Sequence, residues 1–76
     1  MSKRILIVDD DVLLSETIGN YLSLLQYQVF FADNTDEAIT YIHHHQPELV
    51  ICECHTLNVN GYEILKIIMR GIENLK

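Results

Sequence analysis

Ile5-Leu6-Ile7-Val8-Asp9-Asp10-Asp11 is the stretch that decides the fold of this 76-residue chain. A continuous apolar run, three of its four residues β-branched, reads as a strand buried on both faces, and such strands belong to parallel sheets. The acids that follow stop the strand, and Asp10 or Asp11 is placed to cap a helix at its positive N-terminal end. Leu49-Val50-Ile51-Cys52 repeats the pattern and runs into Glu53. Two buried strands that both end in carboxylate describe an acidic pocket at the C-terminal edge of the sheet. Open α/β sheets hold their ligand sites at that edge.

Between these runs the periodicity changes. Val12 to Leu25 predicts a helix whose apolar stripe is Leu14, Ile18, Leu22 and Leu25, broadened by Leu13, Tyr21 and Leu24. Gly19 inside it costs roughly 1 kcal/mol against alanine, which close packing of helix on sheet would explain. Val29-Phe30-Phe31-Ala32 predicts a second strand. Asn34 with Glu37 three residues later is a capping signature, and the helix it opens turns Ala38, Ile39 and Ile42 inward. Pro47 ends that helix, because the residue before proline resists helical angles. Asn58 to Gly61 reads as a turn, and Tyr62 to Met69 as a third helix with Ile64, Leu65 and Ile68 on its inner face. Phe30, Phe31, Tyr21 and Tyr62 read as core or half-buried positions. Strand then helix, three times over, predicts an α/β (βα)3 unit in three layers, with a parallel sheet and right-handed crossovers. It makes a single domain over residues 1–76.

Composition narrows the function. Apolar residues are 49% of the chain, too many for disorder by composition. The net charge is −6, and the cations Lys3, Arg4, Lys66, Arg70 and Lys76 form no basic stripe, so nucleic acid is not an expected partner. No run approaches the roughly 20 apolar residues of a membrane span, and no signal-peptide core follows Lys3 and Arg4. Cys52 and Cys54 make no disulfide framework, which suits a reducing, cytoplasmic location. His43, His44 and His45 are consecutive on a helix, point in different directions, and read as a solvated helix end. Cys52, Cys54 and His55 could share a strand face as a soft-metal site, though they are fewer ligands than a closed structural zinc site uses.

Four segments in order resemble the receiver domain of bacterial response regulators: Ile5 to Asp11; Tyr27 with Val29 and Ala32; Asp36-Glu37-Ala38 with Pro47-Glu48-Leu49-Val50-Ile51; and Asn60-Gly61-Tyr62-Glu63-Ile64-Leu65-Lys66. The resemblance covers about residues 3–70. It implies a flavodoxin-like sheet, here in strand order 2-1-3. It also implies Mg²⁺ at Asp9 and Asp10, with the backbone carbonyl of His55 as a further ligand, and phosphoryl transfer from a histidine kinase to the third-strand acid. That acceptor position is Glu53, which with Asp9 and Asp10 could also provide a loose version of the Mg²⁺ site.

The departures bear on the same corner. The acceptor is glutamate where the family has aspartate, Leu57 stands where it has proline, and Gln26 where it has glycine. The family's fourth and fifth strands, with their switch hydroxyl and phosphate-binding lysine, have no counterpart in residues 71–76. Glutamate reaches about one C–C bond farther, and a misplacement of about 1 Å can cost on the order of 10²-fold in rate. The expectation is therefore a truncated, atypical receiver that is not an enzyme and takes no phosphate, Glu53 being a relic or a phosphomimic. Its third strand, Leu49-Val50-Ile51-Cys52, becomes an apolar sheet edge, and such edges invite pairing with a second chain. A homodimer through those edges or through swapped third helices follows. The alternatives are a phosphoacceptor receiver completed by a partner, and a small metal-binding module on Cys52, Cys54 and His55.

Overall fold

A computed structural model describes residues 3–53, 56 and 58–74. The elements run β1 (Arg4–Val8), α1 (Val12–Leu24), β2 (Gln28–Ala32), α2 (Thr35–His45), β3 (Leu49–Cys52) and α3 (Gly61–Asn74). The strands form a parallel sheet in order β2-β1-β3, the order expected from the sequence. Register is fixed by pairing Leu6 with Phe30 on one side and Val50 on the other. Val8 in turn lies between Ala32 and Cys52.

Alternation along the strands divides the core between two faces. Leu6, Val8 and Ala32 join Ala38 of α2 and Ile64 of α3 in one buried cluster, with Phe30, Ile39, Ile42, Val50 and Ile68 packed against it. Ile5 and Ile7, also buried, take the opposite face with α1. Gly19 is buried there, and a Cβ on it would lie 2.5 Å from Phe31 Cζ and 3.5 Å from Val29 Cγ1. The glycine lets α1 settle on β2, as the sequence suggested, and this close approach offsets its poor helix propensity.

The two helix stripes are narrower than their periodicity suggests. On α1 the buried residues are Ser15 and Gly19, whereas Leu14 and Leu25 are about half exposed and Tyr21 more so. Helical rotation puts Leu14, Tyr21 and Leu25 on the flank away from Gly19, hence away from β2. The apolar stripe thus extends past the sheet contact. On α3, Ile64 is buried and Ile68 partly so, but Leu65 is 55% exposed and Tyr62 64% exposed. Phe31 is likewise half exposed, its ring lying over the small Gly19 at the rim of the sheet.

Helix ends follow the local chemistry. Asn34 accepts from Glu37 N at 2.8 Å, and Glu37 Oε1 reaches back to Asp33 N, one residue before the usual capping-box target. At its other end α2 stops at His45 because Gln46 turns left-handed, with φ 47°, before Pro47. The third histidine is not merely solvated: His45 stacks on Tyr41 with ring centroids 4.5 Å apart, and Tyr41 packs on Phe30 at 4.9 Å.

The foot of the sheet carries the one ion pair among the described residues, Arg4–Glu48 at 3.9 Å. The Arg4 backbone N–H donates to the Glu48 carboxylate and holds it below the usual carboxylate range. A lowered folded value means stability that is whole above the unfolded value of about 4.3 and is lost as pH falls through the folded one. Glu48→Gln is expected to lower stability slightly at neutral pH and to converge with the unsubstituted chain in acid, so that the acid limb of its stability–pH curve is flatter. Urea titrations between pH 3 and pH 7 check this, and an unaltered acid limb would refute it.

Candidate functional site

The acidic corner is built by the register of the sheet. The ladder continues one residue past each strand: Asp9 N donates to Ala32 O at 3.0 Å and Glu53 N donates to Val8 O at 2.9 Å. Asp9 and Glu53 therefore stand side by side at the C-terminal ends of β1 and β3, about one inter-strand spacing, 4.8 Å, apart at the backbone. Asp9 and Asp10 are half-buried, and Glu53 is exposed.

The three consecutive acids do different work. Asp11 is the N-cap of α1, its Oδ1 accepting from Leu14 N at 3.1 Å. Asp9 Oδ1 accepts from Asp11 N at 2.9 Å, which bends the chain from strand into helix. Asp10 Oδ2 faces the Asn58 carboxamide, with Nδ2 at 3.5 Å. Sequence reasoning left the cap open between Asp10 and Asp11. The structure gives it to Asp11 and leaves Asp10 to the corner.

The β3–α3 loop forms the far wall and is tied to α2. Thr35 N donates to Asn58 O at 3.1 Å, and Asn60 N donates to Thr35 Oγ1 at 2.8 Å. Asn60 Oδ1 then caps α3 by accepting from Glu63 N at 3.1 Å. Between the two asparagines Val59 is 1% exposed and belongs to the core. The sequence showed a turn here but neither this anchor nor the contact with Asp10. A lone apolar residue between two asparagines was the only signal available.

Asp9, Asp10 and Glu53 supply hard carboxylate oxygens, the donor chemistry Mg²⁺ selects. The corner gathers their backbones, yet among the described residues no three His, Cys, Asp or Glu side chains are drawn to metal-holding distance. The His55 carbonyl expected as a further ligand lies outside the described residues, as do Cys54 and Leu57. Of the cluster Cys52, Cys54 and His55, only Cys52 is described, and its Sγ lies 3.2 Å from Glu53 O.

The profile of the response regulator receiver domain matches residues 5–76, nearly the whole chain. This chain belongs to the receiver domain family. It is 34% identical over 66 residues to the transcriptional regulatory protein CrdR of Helicobacter pylori, a match that covers 87% of the chain and 31% of the regulator. The non-phosphorylated HemR receiver domain of Leptospira biflexa superposes with a TM-score of 0.82 at 29% identity, over 91% of this chain and 56% of that one. A signal receiver domain from Vibrio parahaemolyticus, of a protein described as a Luxo repressor, shares the fold with a TM-score of 0.85 at 24% identity, over 93% of this chain and 55% of that one. The chain thus spans a little over half of these receiver domains and about a third of the regulator. Receiver domains act in two-component signalling. No helix among the described residues is long and apolar enough to cross a membrane.

Proposed function

We propose that this receiver is catalytically silent and signals by binding other proteins in the cytoplasm rather than by accepting phosphate. The observation that carries the reading is Glu53 beside Asp9 at the end of β3: the family resemblance puts the acceptor aspartate here, and a glutamate carboxylate lies one methylene farther from the backbone. Phosphoryl transfer depends on positioning and charge neutralisation, so a displaced acceptor loses both. Mg²⁺, if bound, would be held by Asp9 and Asp10 with waters completing its shell, and it would neutralise charge at the corner. Glu53 brings about one negative charge, against about −1.5 to −2 for a phosphoryl group. It is therefore a weak mimic of the phosphorylated state.

Incubation with a small-molecule phosphodonor and Mg²⁺, followed by intact-protein mass spectrometry, tests this. The expected result is an unmodified chain. A stoichiometric phosphoryl adduct that disappears in Glu53→Gln would instead establish the second possibility, a working phosphoacceptor fed by a histidine kinase. Zinc titration of Cys52→Ser against the unsubstituted chain tests the metal-module alternative in the same preparation.

The sheet supports a homodimer as the form in which this module acts. Among the described residues β3 lies at one side of the sheet, next to β1 alone. Beside it a groove of about 450 Å³ is lined by Val50, Ile64, Leu65 and Ile68. On the opposite face Leu49, in register with Ile5, is half exposed. Uncovered apolar surface around an edge strand favours association. Light scattering at micromolar concentration is expected to give twice the chain mass, and a compact monomer would remove the dimer from this reading without touching the silence of Glu53.

A further inference from the structure

The hydrogen bonds of the β3–α3 loop form a continuous chain that neither the fold nor the acidic corner requires. Asn58 Nδ2 reaches Asp10 Oδ2 at 3.5 Å. The Asn58 carbonyl accepts from Thr35 N at 3.1 Å and faces the Thr35 hydroxyl at 3.4 Å. The same hydroxyl accepts from Asn60 N at 2.8 Å. The Asn60 side chain accepts from Glu63 N, and its carbonyl from Ile64 N at 3.2 Å. Thr35 is the hub. It belongs to α2, yet it holds both ends of the Asn58–Asn60 segment, and that segment starts α3.

We infer that Thr35 is a positioning residue that couples the acidic corner to the start of α3. A change of charge at Asp10 alters the pull on the Asn58 carboxamide. The Asn58 carbonyl and the Asn60 N–H are then reset against one hydroxyl rather than against solvent. Val59 reinforces this because its side chain is buried, so the segment moves as a unit between two fixed ends. A threonine hydroxyl suits the role because it donates and accepts at once. Its methyl group gives valine the same shape without the hydroxyl. Neither the family match nor the fate of Glu53 bears on this inference, which concerns how any change at the corner travels.

The test uses Asp10→Asn as the change of charge and backbone amide NMR as the readout. In the chain with Thr35, Asp10→Asn is expected to shift the amides of Asn58, Asn60, Glu63 and Ile64. In Thr35→Val the shift at Asn58 is expected to survive, while those at Glu63 and Ile64 fall by at least half. Thr35→Ser keeps the hydroxyl and is expected to restore them, which a merely structural methyl contact would not do. If Thr35→Val unfolds, amide exchange at Glu63 in Thr35→Ser, with and without Asp10→Asn, carries the test: coupling changes the exchange rate and its absence leaves the rate fixed. Equal shifts at Glu63 and Ile64 in the valine and threonine backgrounds, or failure of serine to restore them, overturn the inference.

Discussion

Leu6→Ala is expected to leave the chain largely unfolded at room temperature. Leu6 is 0% exposed at the centre of β1, with Phe30 and Val50 in register on either side. It lies in the cluster where strands meet α2 and α3. Truncating such a leucine removes its transfer free energy and leaves a cavity that a paired central strand cannot close, a loss of about 2–5 kcal/mol. A single core in a chain this short rarely supplies more than about 3–5 kcal/mol, so one substitution spends most of the margin. Leu24→Ala is the control: Leu24 is 81% exposed, and its truncation should stay within about 0.5 kcal/mol. Far-UV circular dichroism with urea titration separates the two. A Leu6→Ala variant with the same midpoint as the unsubstituted chain would show that the core does not run through β1.

The contrast between Leu6 and Leu24 also marks what the sequence could and could not tell. β1 announced itself because burial on both faces removes alternation, so Ile5 to Val8 could be placed almost to the residue; Leu49 to Cys52 carries the same apolar pattern, yet Leu49 is exposed and Val50, Ile51 and Cys52 are only half-buried. The strand order followed from the family resemblance, and with the order came the pairing of Asp9 and Glu53 at one edge. Helical stripes were less informative. Leu14, Ile18, Leu22 and Leu25 share one side of a helix, but periodicity says only that a side is apolar, not how far its cover extends. Ser15 shows the converse: a polar residue that the stripe passes over is 5% exposed against the sheet. Tyr21, which broadens the α1 stripe, and Tyr62, which reads as core or half-buried, are both surface residues. Hubs such as Thr35 were invisible, because a hydroxyl that bonds across 23 residues leaves no local pattern.

Val59→Asp is expected to release α3 while the rest of the sheet persists. Val59 is 1% exposed, and the described residues of its cluster are apolar apart from Tyr41 and Cys52, so none of them offers a cation to an introduced carboxylate. An unpaired buried charge costs several kcal/mol or forces the group to take a proton. Relative to the same change at an exposed position, the loss should exceed about 3 kcal/mol; Leu65→Asp, at 55% exposure, supplies the comparison. The damage should be local in its first step. α3 is held through α2, Ile64 and this loop, whereas β1, β2 and α1 are joined by their own ladder and by the Gly19 contact. Amides of α3 should therefore lose hydrogen-exchange protection before those of β1 and β2. The sign of the pH dependence follows from burial, which raises the carboxyl above its unfolded value of about 3.9. A raised folded value favours the native state at low pH, so the gap between Val59→Asp and Val59→Asn should narrow as pH falls through that range. Uniform loss of protection across all three strands, or a gap that widens on acidification, would mean that Val59 secures the whole domain rather than the attachment of α3.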